Sequence, residues 1–200
     1  ATVGHGLLSK PDMIILKSRS ETAPWYVWHK DIGNNYLELN ATSSQASGGL
    51  TVSATTITFP NTWTIYNASG ETFVCYAFAS KTGYSKFGSY TGNGSSDGTF
   101  VYTGFKPAFV IYKGATGANA TDNWEMADNK RSPYNGIENV LYPNLNNAEG
   151  TGVTTRMDFL SNGFKMRTTG SDYNGSGQTY IYMAFGQSLV GSNNVPCTAR

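Results

Sequence analysis

The sequence predicts an all-β protein, an antiparallel β-sandwich of the jelly-roll or lectin-like kind with an internal duplication. Short segments rich in β-branched and aromatic residues recur along the whole chain, and turns containing glycine or asparagine separate them. No segment keeps a helical apolar period over three turns, so we expect no helix in the core. These two observations fix the fold class, and the order of the segments indicates the duplication.

The duplication consists of pairs of similar segments that occur in the same order. The period, roughly a hundred residues, is longer than that of solenoids and propellers. The pairs are 9–17 with 105–113, Trp25 with Trp124, 36–40 with 140–144, and 69–78 with 176–185. We therefore divide the chain into a first repeat (residues 1–83), a second repeat (84–187) and a C-terminal tail (188–200).

The first repeat is predicted to pass through short strands bounded by turn-forming residues. Pro24 and Pro60 mark boundaries, because proline cannot donate a hydrogen bond to a β-ladder. Threonine alternates with apolar residues from 51 to 58, which favours one half-buried strand there. The predicted strands lie at 13–16, 25–29, 36–39, 51–58, 63–66 and 72–78.

The second repeat opens with an aromatic segment, 84–90, and a glycine-rich turn, 92–98. Pro107 marks the start of the next long strand. Asn162-Gly163 between two apolar segments is a hairpin signal. The later strands are predicted at 99–102, 108–112, 124–127, 156–159, 164–167 and 179–185.

The composition excludes several classes of partner. Charged residues make up 14% of the chain, against about 25% in an average protein, and the net charge is +1. Binding to nucleic acid or to an anionic membrane therefore has no electrostatic support. No apolar run is long enough to span a bilayer, so no membrane insertion is expected.

The chain begins inside a repeat, because residues 3–7 match only the end of 84–105. We expect a processed or truncated start, and a sandwich edge in the first repeat that lacks the counterpart of residues 84–99. Natural proteins cover such edges. A preceding part of the same gene product or a strand of another subunit is expected to cover it, and the tail from Gln187 to Arg200 is a candidate donor.

No catalytic residue is predicted. His5 and His29 are expected to be structural or surface histidines, since no nucleophile-elbow pattern accompanies them. Glycoside hydrolysis needs two cooperating carboxylates. Glu125 and Asp128 point to opposite faces of a strand, so we expect them to lie at a solvated edge.

No metal site or cofactor is predicted. The turn 92–98 carries one carboxylate, fewer than calcium loops usually have, and neither cysteine has metal-ligand spacing. Cys75 is expected to be a small buried hydrophobe, whereas Cys197 lies near the terminus. Asn-X-Ser/Thr sequences begin at Asn40, Asn67, Asn93, Asn119 and Asn174, and several such matches arise by chance in so polar a chain.

The aromatic residues are the main functional indication. Tyrosine and tryptophan above hydroxyl-rich loops are typical of surfaces that contact glycans or protein partners. The aligned Trp25 and Trp124 are assigned to the core. The candidate glycan- or partner-binding residues are Trp28, Trp63, Tyr90, Asn93 and Tyr173.

Several motifs resemble a family of uncharacterised proteins encoded by marine bacteriophages of cyanobacteria and pelagic bacteria. The resemblance covers nearly the whole chain, and the string 83–94 is its most specific part. The matching segments are 4–7, 11–15, 83–94, 104–108 and 159–164. The resemblance implies a virion structural protein, of the kind often labelled tail fibre or lectin-like, and it supplies no catalytic residues.

These observations lead to one expected function and two alternatives. We expect a non-enzymatic tail-fibre protein on the virion surface that binds a receptor glycan and forms a homo-oligomer, with a trimer favoured, alongside other virion proteins. The first alternative is a capsid-decorating or filament-forming subunit. The second is a polysaccharide-cleaving enzyme acting through Glu125 or Asp128.

Overall fold

The computed structural model describes residues 1–60, 64–116, 122–132, 134–151 and 155–187. The first repeat contains strands β1 (Thr2–Gly4), β2 (Met13–Ser18), β3 (Tyr26–His29), β4 (Asn35–Glu38), β5 (Ala46–Ser47), β6 (Thr51–Val52), β7 (Thr56–Thr58) and β8 (Phe73–Phe78). The second repeat contains β9 (Ser85–Thr91), β10 (Phe100–Tyr102), β11 (Pro107–Thr116), β12 (Glu125–Asp128), β13 (Met157–Leu160), β14 (Gly163–Met166) and β15 (Thr179–Gly186). The described helices are short: a 3₁₀ turn (Lys30–Ile32), α1 (Thr64–Asn67) and α2 (Ser171–Asn174).

The described strands form four antiparallel sheets, two from each repeat. In the first repeat, outer sheet 1 has the order β1-β7-β6 and inner sheet 1 has the order β5-β4-β3-β2-β8. In the second repeat, outer sheet 2 has the order β10-β14-β13 and inner sheet 2 has the order β12-β11-β15-β9. Strand order is thus the same in both outer sheets, and β3-β2-β8 matches β12-β11-β15.

The register of the strands repeats as well as their order. Ile14 of β2 lies opposite Ala77 of β8, and Val110 of β11 lies opposite Ala184 of β15. The sequence repeat aligns Ile14 with Val110, and Ala77 with Ala184. The prediction of an all-β antiparallel sandwich with an internal duplication is therefore confirmed, while the exact division at residue 83 stays a prediction.

Alternating side chains on the inner strands build a stack of four layers. Met13 of β2 and Ile111 of β11 belong to one cluster, which joins the two inner sheets face to face. The neighbouring residue Ile14 points the other way, into the core under outer sheet 1, and Val110 does the same under outer sheet 2. Since successive strand residues face opposite sides, one apolar run supplies two cores.

The structure corrects three local predictions. Residues 51–58 form a hairpin of β6 and β7, because Ser53 Oγ accepts hydrogen bonds from the N–H groups of Thr55 (3.1 Å) and Thr56 (2.8 Å) and so turns the chain. The described part of the predicted strand 63–66 is helical, in α1. The helix α2 lies between the predicted strands 164–167 and 179–185, where no helix was predicted. Single helical turns are too short to show a period in sequence.

None of the helices among the described residues has the length and apolar character needed to cross a membrane.

Candidate functional site

A cleft of about 490 Å³ opens at one end of inner sheet 2, where β11 begins and β12 and β15 end. We call it the Tyr134 cleft. Its walls come from the turn before β11, the loop that follows β12, and the β13–β14 hairpin. The side chains that matter for its chemistry are Lys106, Asn129, Lys130, Ser132, Tyr134, Asn135 and Gln187.

The Tyr134 cleft combines an exposed ring with amide and ammonium groups. The ring of Tyr134 is 86% exposed, although large aromatic residues normally bury most of their surface. Asn129 and Asn135 offer amide donors and acceptors, and Lys106 and Lys130 bring two positive charges. Its described lining contains no Asp or Glu. The cleft therefore suits a polar ligand with an apolar face and negative groups.

The loop after β12 is held by the carboxylate that ends this strand. Asp128 Oδ1 accepts hydrogen bonds from the N–H groups of Lys130 (2.8 Å) and Arg131 (3.0 Å). The Arg131 side chain returns to Asp128 Oδ2 at 2.6 Å and to Glu149 at 2.7 Å. Burial alone raises the pKa of Asp128, but the hydrogen bonds from Arg131 and Lys130 outweigh it and lower the pKa. The carboxylate therefore stays charged and fixes the loop that carries Tyr134.

A second polar cluster lies in the core between inner sheet 2 and outer sheet 2. Glu125, at the start of β12, is only 2% exposed. Its Oε2 accepts a hydrogen bond from the hydroxyl of Tyr112 at 2.5 Å and one from Arg156 Nη1 at 2.9 Å. Arg156 also donates to the hydroxyls of Tyr173 (2.8 Å) and Tyr142 (3.2 Å), and its guanidinium lies 4.9 Å from the centre of the Tyr173 ring.

Burial dominates the ionisation of this cluster. It raises the pKa of Glu125 to about 7, and the nearby Arg156 and Tyr112 keep that pKa from rising further. Burial lowers the pKa of Arg156, but the attraction to Glu125, the hydrogen bond to Tyr142 and the nearby Tyr173 and Tyr112 together outweigh burial and raise it. Neither of the two cavities described for this chain is lined by Glu125. The cluster joins β11 and β12 to the segments that carry Arg156 and Tyr173.

The prediction of a solvated edge at Glu125 and Asp128 is therefore wrong for Glu125. Glu125 can be buried because Arg156 and Tyr112 donate hydrogen bonds to its carboxylate. Both partners are distant in the sequence, so no local pattern indicated this burial. Asp128 is half-buried and paired with Arg131.

Two of the predicted contact aromatics are buried. Trp28 and Tyr90 are each 7% exposed and belong to the two outer cores. Tyr90 stacks on Tyr180 with ring centres 5.0 Å apart. The expectation of exposed rings is wrong for both, because alternate residues of a strand between two sheets face a core on either side. A buried ring does not offer its face to a sugar, so neither belongs to the cleft.

The remaining predicted contact residues have other surroundings. Tyr173 is half-buried against Arg156 and Tyr112. Asn93 is exposed, and its side chain organises the turn 92–98 by accepting from Ser95 N at 3.0 Å and donating to the Asp97 carbonyl at 3.0 Å. Trp63 lies outside the described residues. The structure brings three of the predicted residues together: the Tyr90 hydroxyl donates to the Tyr173 carbonyl, and Asn93 exchanges hydrogen bonds with Asn174, the residue after Tyr173. Trp28 lies apart from them, in the core under outer sheet 1.

The other residues named in the sequence analysis differ in whether their predicted burial is confirmed. Cys75 is exposed rather than buried, because no described strand covers the outer edge of β8. Trp124 lies in the central core as expected, while Trp25 is only half-buried. His29 is fully buried, so it is not a surface histidine. Cys197, Asn119 and the proposed donor segment after Gln187 lie outside the described residues.

The described residues contain no group of three or more histidine, cysteine and acidic side chains that could hold a metal ion. Asn174, the last of the glycosylation sequences, is fully buried in the fold. Its Nδ2 donates to the carbonyl groups of Ser95 (2.8 Å) and Thr168 (3.0 Å). A glycan on this nitrogen is incompatible with the folded chain.

The Tyr134 cleft was missed in the sequence although one local signal marks it. Tyr134 stands in a loop rich in polar and turn-forming residues, between Ser132-Pro133 and Asn135-Gly136. An isolated tyrosine in such a loop is an exposed ring. The contributions of Lys106 and Gln187, which come from distant parts of the chain, depend on the strand pairing.

Comparison with known proteins gives a family and nothing finer. No curated protein matches the chain, and no solved structure matches it. A family model described as a domain of unknown function, DUF7483, matches residues 1–188, and the chain therefore belongs to the DUF7483 family.

Proposed function

We propose that this chain is a non-enzymatic protein of a bacteriophage virion surface, most simply the receptor-binding part of a tail fibre, and that it binds an acidic host glycan in the Tyr134 cleft. The resemblance to phage virion proteins supports the location. The chemistry of the cleft supports the ligand class. As a tail-fibre part the subunit is expected to form a homo-oligomer, with a trimer favoured.

The observation that carries the proposal is the combination of one exposed ring with two lysines and, among the described lining residues, no carboxylate. A tyrosine face packs on the apolar face of a sugar ring, while amide side chains hydrogen-bond to its hydroxyls. Lys106 and Lys130 then favour sugars that carry carboxylate or sulfate groups. On a chain with 14% charged residues, two lysines lining one cleft give it a locally positive charge.

The test is a binding measurement on acidic and neutral oligosaccharides at several salt concentrations. Tyr134→Ala is expected to weaken binding at least about tenfold, the equivalent of about 1.4 kcal/mol. Replacing both Lys106 and Lys130 with glutamine should remove the preference for acidic sugars and most of the salt dependence. Tyr76→Ala is the matched control, since Tyr76 is exposed and does not line the cleft. Equal loss in the control, or binding unaffected by all variants, would contradict the proposal.

A catalytic role is tested on the same samples. A reducing-end assay after incubation with host polysaccharide should show no turnover. Turnover that disappears in Glu125→Gln or Asp128→Asn would replace the proposal with a polysaccharide-cleaving enzyme.

A second candidate function is a capsid-decorating or filament-forming subunit. The observation in its favour is the open edge of β8, where exposed Cys75 and Tyr76 border an apolar groove. Locating the subunit in an intact particle separates the candidates. A fibre subunit should present the Tyr134 cleft to solvent, whereas a decorating subunit should bury its aromatic surface against capsid protein or its own neighbours.

A further inference from the structure

Among the strands that the structure describes, the first repeat has an open sheet edge at β8. Within the described residues, β8 pairs only with β2, whereas its counterpart β15 pairs on both sides, with β11 and with β9. An edge strand presents a row of backbone N–H and C=O groups that another strand can pair with. The second repeat thus has one strand, β9, for which the described first repeat has no counterpart.

An apolar groove of about 660 Å³ runs beside this edge, between inner sheet 1 and outer sheet 1. We call it the β8 groove. The residues that decide its character are Leu16, Ile57, Phe59, Phe73 and Cys75. Tyr76, on the opposite face of the same edge, is 47% exposed.

The second repeat shows what occupies the corresponding position. Tyr90 of β9 stacks on Tyr180, and its ring meets the edge of Phe164 with centres 6.0 Å apart. The Tyr90 hydroxyl donates to the carbonyl of Tyr173 at 2.7 Å. One side chain of β9 therefore closes the space between inner sheet 2 and outer sheet 2.

The three residues that hold Tyr90 have counterparts in the first repeat. By the common strand register, Phe73 corresponds to Tyr180 and Ile57 corresponds to Phe164. Tyr66 of α1 corresponds to Tyr173 of α2. All three counterparts line the β8 groove. The groove is therefore the position that Tyr90 fills in the second repeat.

The asparagine that binds the turn after β9 also has a counterpart in the first repeat. Asn93 N–H donates to Asn174 Oδ1 at 3.0 Å, and Asn174 Nδ2 donates to Asn93 Oδ1 at 2.9 Å. Asn174 ends α2, and Asn67 ends α1 at the same place in the first repeat. Asn67 also lines the β8 groove. The residue type that seats the turn is thus present in both repeats.

We propose that the β8 groove binds an extended strand from a partner protein chain, which pairs antiparallel with β8 and carries the side-chain pattern of β9. An aromatic residue of that strand lies opposite Phe73, and an apolar residue lies opposite Tyr76 and covers its exposed ring. β9 of this chain cannot be that strand, because β15 holds it along its whole length.

The residue opposite Cys75 distinguishes this groove from its counterpart. In the second repeat Gly88 lies opposite Tyr182, and a Cβ on Gly88 would come within 2.8 Å of the Tyr182 hydroxyl. Cys75 takes the place of Tyr182 and is much shorter. The partner strand therefore accommodates a side chain larger than glycine at this position, which separates its sequence from that of β9.

Disulfide exchange in register tests the proposal. The probe is a peptide with the sequence of residues 83–94 in which cysteine replaces Gly88 and carries a 2-thiopyridyl group. The Cys75 thiolate attacks the peptide sulfur, a protein–peptide disulfide forms, and 2-thiopyridone leaves, so no further oxidant is needed. The protein is the full chain with Cys197→Ser, studied at mildly alkaline pH because desolvation raises the pKa of the Cys75 thiol.

Matched peptides carry the activated cysteine in place of Phe87 or Ser89, whose side chains point to the other face of the strand. Exchange at position 88 is expected to be at least about tenfold faster than at either control, because pairing raises the local concentration. The unmodified peptide should compete. Equal rates for all three peptides would overturn the proposal. Selective exchange that appears only in a chain ending at Gln187 would overturn the partner assignment, because the chain's own tail would then occupy the groove.

Discussion

At the residue scale, burial shifts two titratable side chains in opposite directions. It raises the pKa of Glu125 from 4.5 to about 7 and lowers the pKa of His29 from 6.5 to about 4. His29 Nδ1 accepts a hydrogen bond from Asp31 N–H at 3.2 Å, which places the proton of the neutral ring on Nε2. The fold therefore favours the neutral form of both groups.

These pKa shifts predict that the two residues make stability depend on pH in opposite directions. The folded Glu125 binds its proton more tightly than the unfolded chain does, so its contribution is full below pH 4.5 and is lost as the pH rises to about 7. The folded His29 binds its proton less tightly, so its contribution is full above pH 6.5 and is lost as the pH falls to about 4. Each contribution changes by about 3.5 kcal/mol across its pH range, at about 1.4 kcal/mol per pKa unit. Because one falls with rising pH while the other grows, their sum varies little with pH.

Variants should separate the two contributions. In Glu125→Gln the free energy of unfolding should rise between pH 4 and 6.5, because the change contributed by His29 is no longer opposed by that of Glu125. In His29→Asn, which keeps an acceptor for Asp31 N–H, it should fall between pH 4.5 and 7. Denaturant unfolding at a series of pH values measures both slopes. Slopes of the same sign in the two variants would contradict the assignment.

Because Arg156 belongs to a buried ion pair, it should contribute far more to the free energy of unfolding than an arginine in an exposed pair. Arg156→Met leaves Glu125 without its guanidinium and should cost about 3 to 5 kcal/mol above pH 7, and less near pH 5 where the carboxyl becomes neutral. Arg167→Met breaks the exposed pair with Asp158 and should cost less than about 1 kcal/mol. Denaturant unfolding of both variants compares them, and equal costs would contradict a buried role for Arg156.

At the element scale, the two outer sheets differ in which strand carries a glycine at the contact between their first two strands. In outer sheet 1, Gly4 of β1 lies opposite Thr56 of β7. In outer sheet 2, Tyr102 of β10 lies opposite Gly163 of β14. A Cβ on Gly163 would come within 2.1 Å of the Val101 carbonyl oxygen. Gly163 therefore allows β10 to approach its neighbour.

Gly163→Ala is expected to displace β10 and to destabilise the fold by about 1 to 3 kcal/mol or more. The matched control is Gly6→Ala. Gly6 has a φ of 67° and open space around its Cβ position, so it should show only the cost of the left-handed backbone, about 1 kcal/mol. Thermal unfolding compares the two. A smaller effect at Gly163 than at Gly6 would show that β10 is not packed as described.

The strands were predicted well from the sequence where glycine, proline or asparagine separates them. They were predicted less well where a side-chain hydrogen bond forms the turn. The β13–β14 hairpin was predicted because Asn162-Gly163 is a recognisable turn. The β6–β7 hairpin was read as one strand because Ser53 makes the turn without glycine, proline or asparagine. The buried charge of Glu125 was missed because its partners Tyr112 and Arg156 are distant in sequence.

At the scale of the whole molecule, the two repeats share a core rather than standing apart. The central cluster draws residues from both inner sheets, and Trp124 Nε1 donates to the Glu38 carbonyl at 2.8 Å across that boundary. Each repeat alone would expose the face that the other covers. The layers are thus stabilised by burial between the repeats, with the hydrophobic effect as the main term.

A chain cleaved between Thr82 and Gly83 should therefore stay together. A protease site engineered into this exposed turn cuts no strand and removes no core contact. The cleaved protein is expected to elute as one species and to unfold in one transition. The uncleaved protein is the control. Separation of the fragments, or two transitions in the cleaved sample, would contradict a shared core.

The fold could be predicted at this scale, but the candidate site could not. Order and spacing of similar segments were enough for an all-β duplicated fold. The Tyr134 cleft is assembled from Lys106, the loop after β12 and Gln187, which meet only when β11, β12 and β15 pair. Two of the aromatic residues proposed from the sequence as contact residues, Trp28 and Tyr90, are buried between the layers.

The most direct test of glycan binding is a crystal structure of the chain with an acidic oligosaccharide from a host surface. We expect a sugar ring against Tyr134, with its acidic groups close to Lys106 and Lys130. An ordered sugar at another surface, with the Tyr134 cleft empty at a concentration that saturates binding in solution, would contradict it.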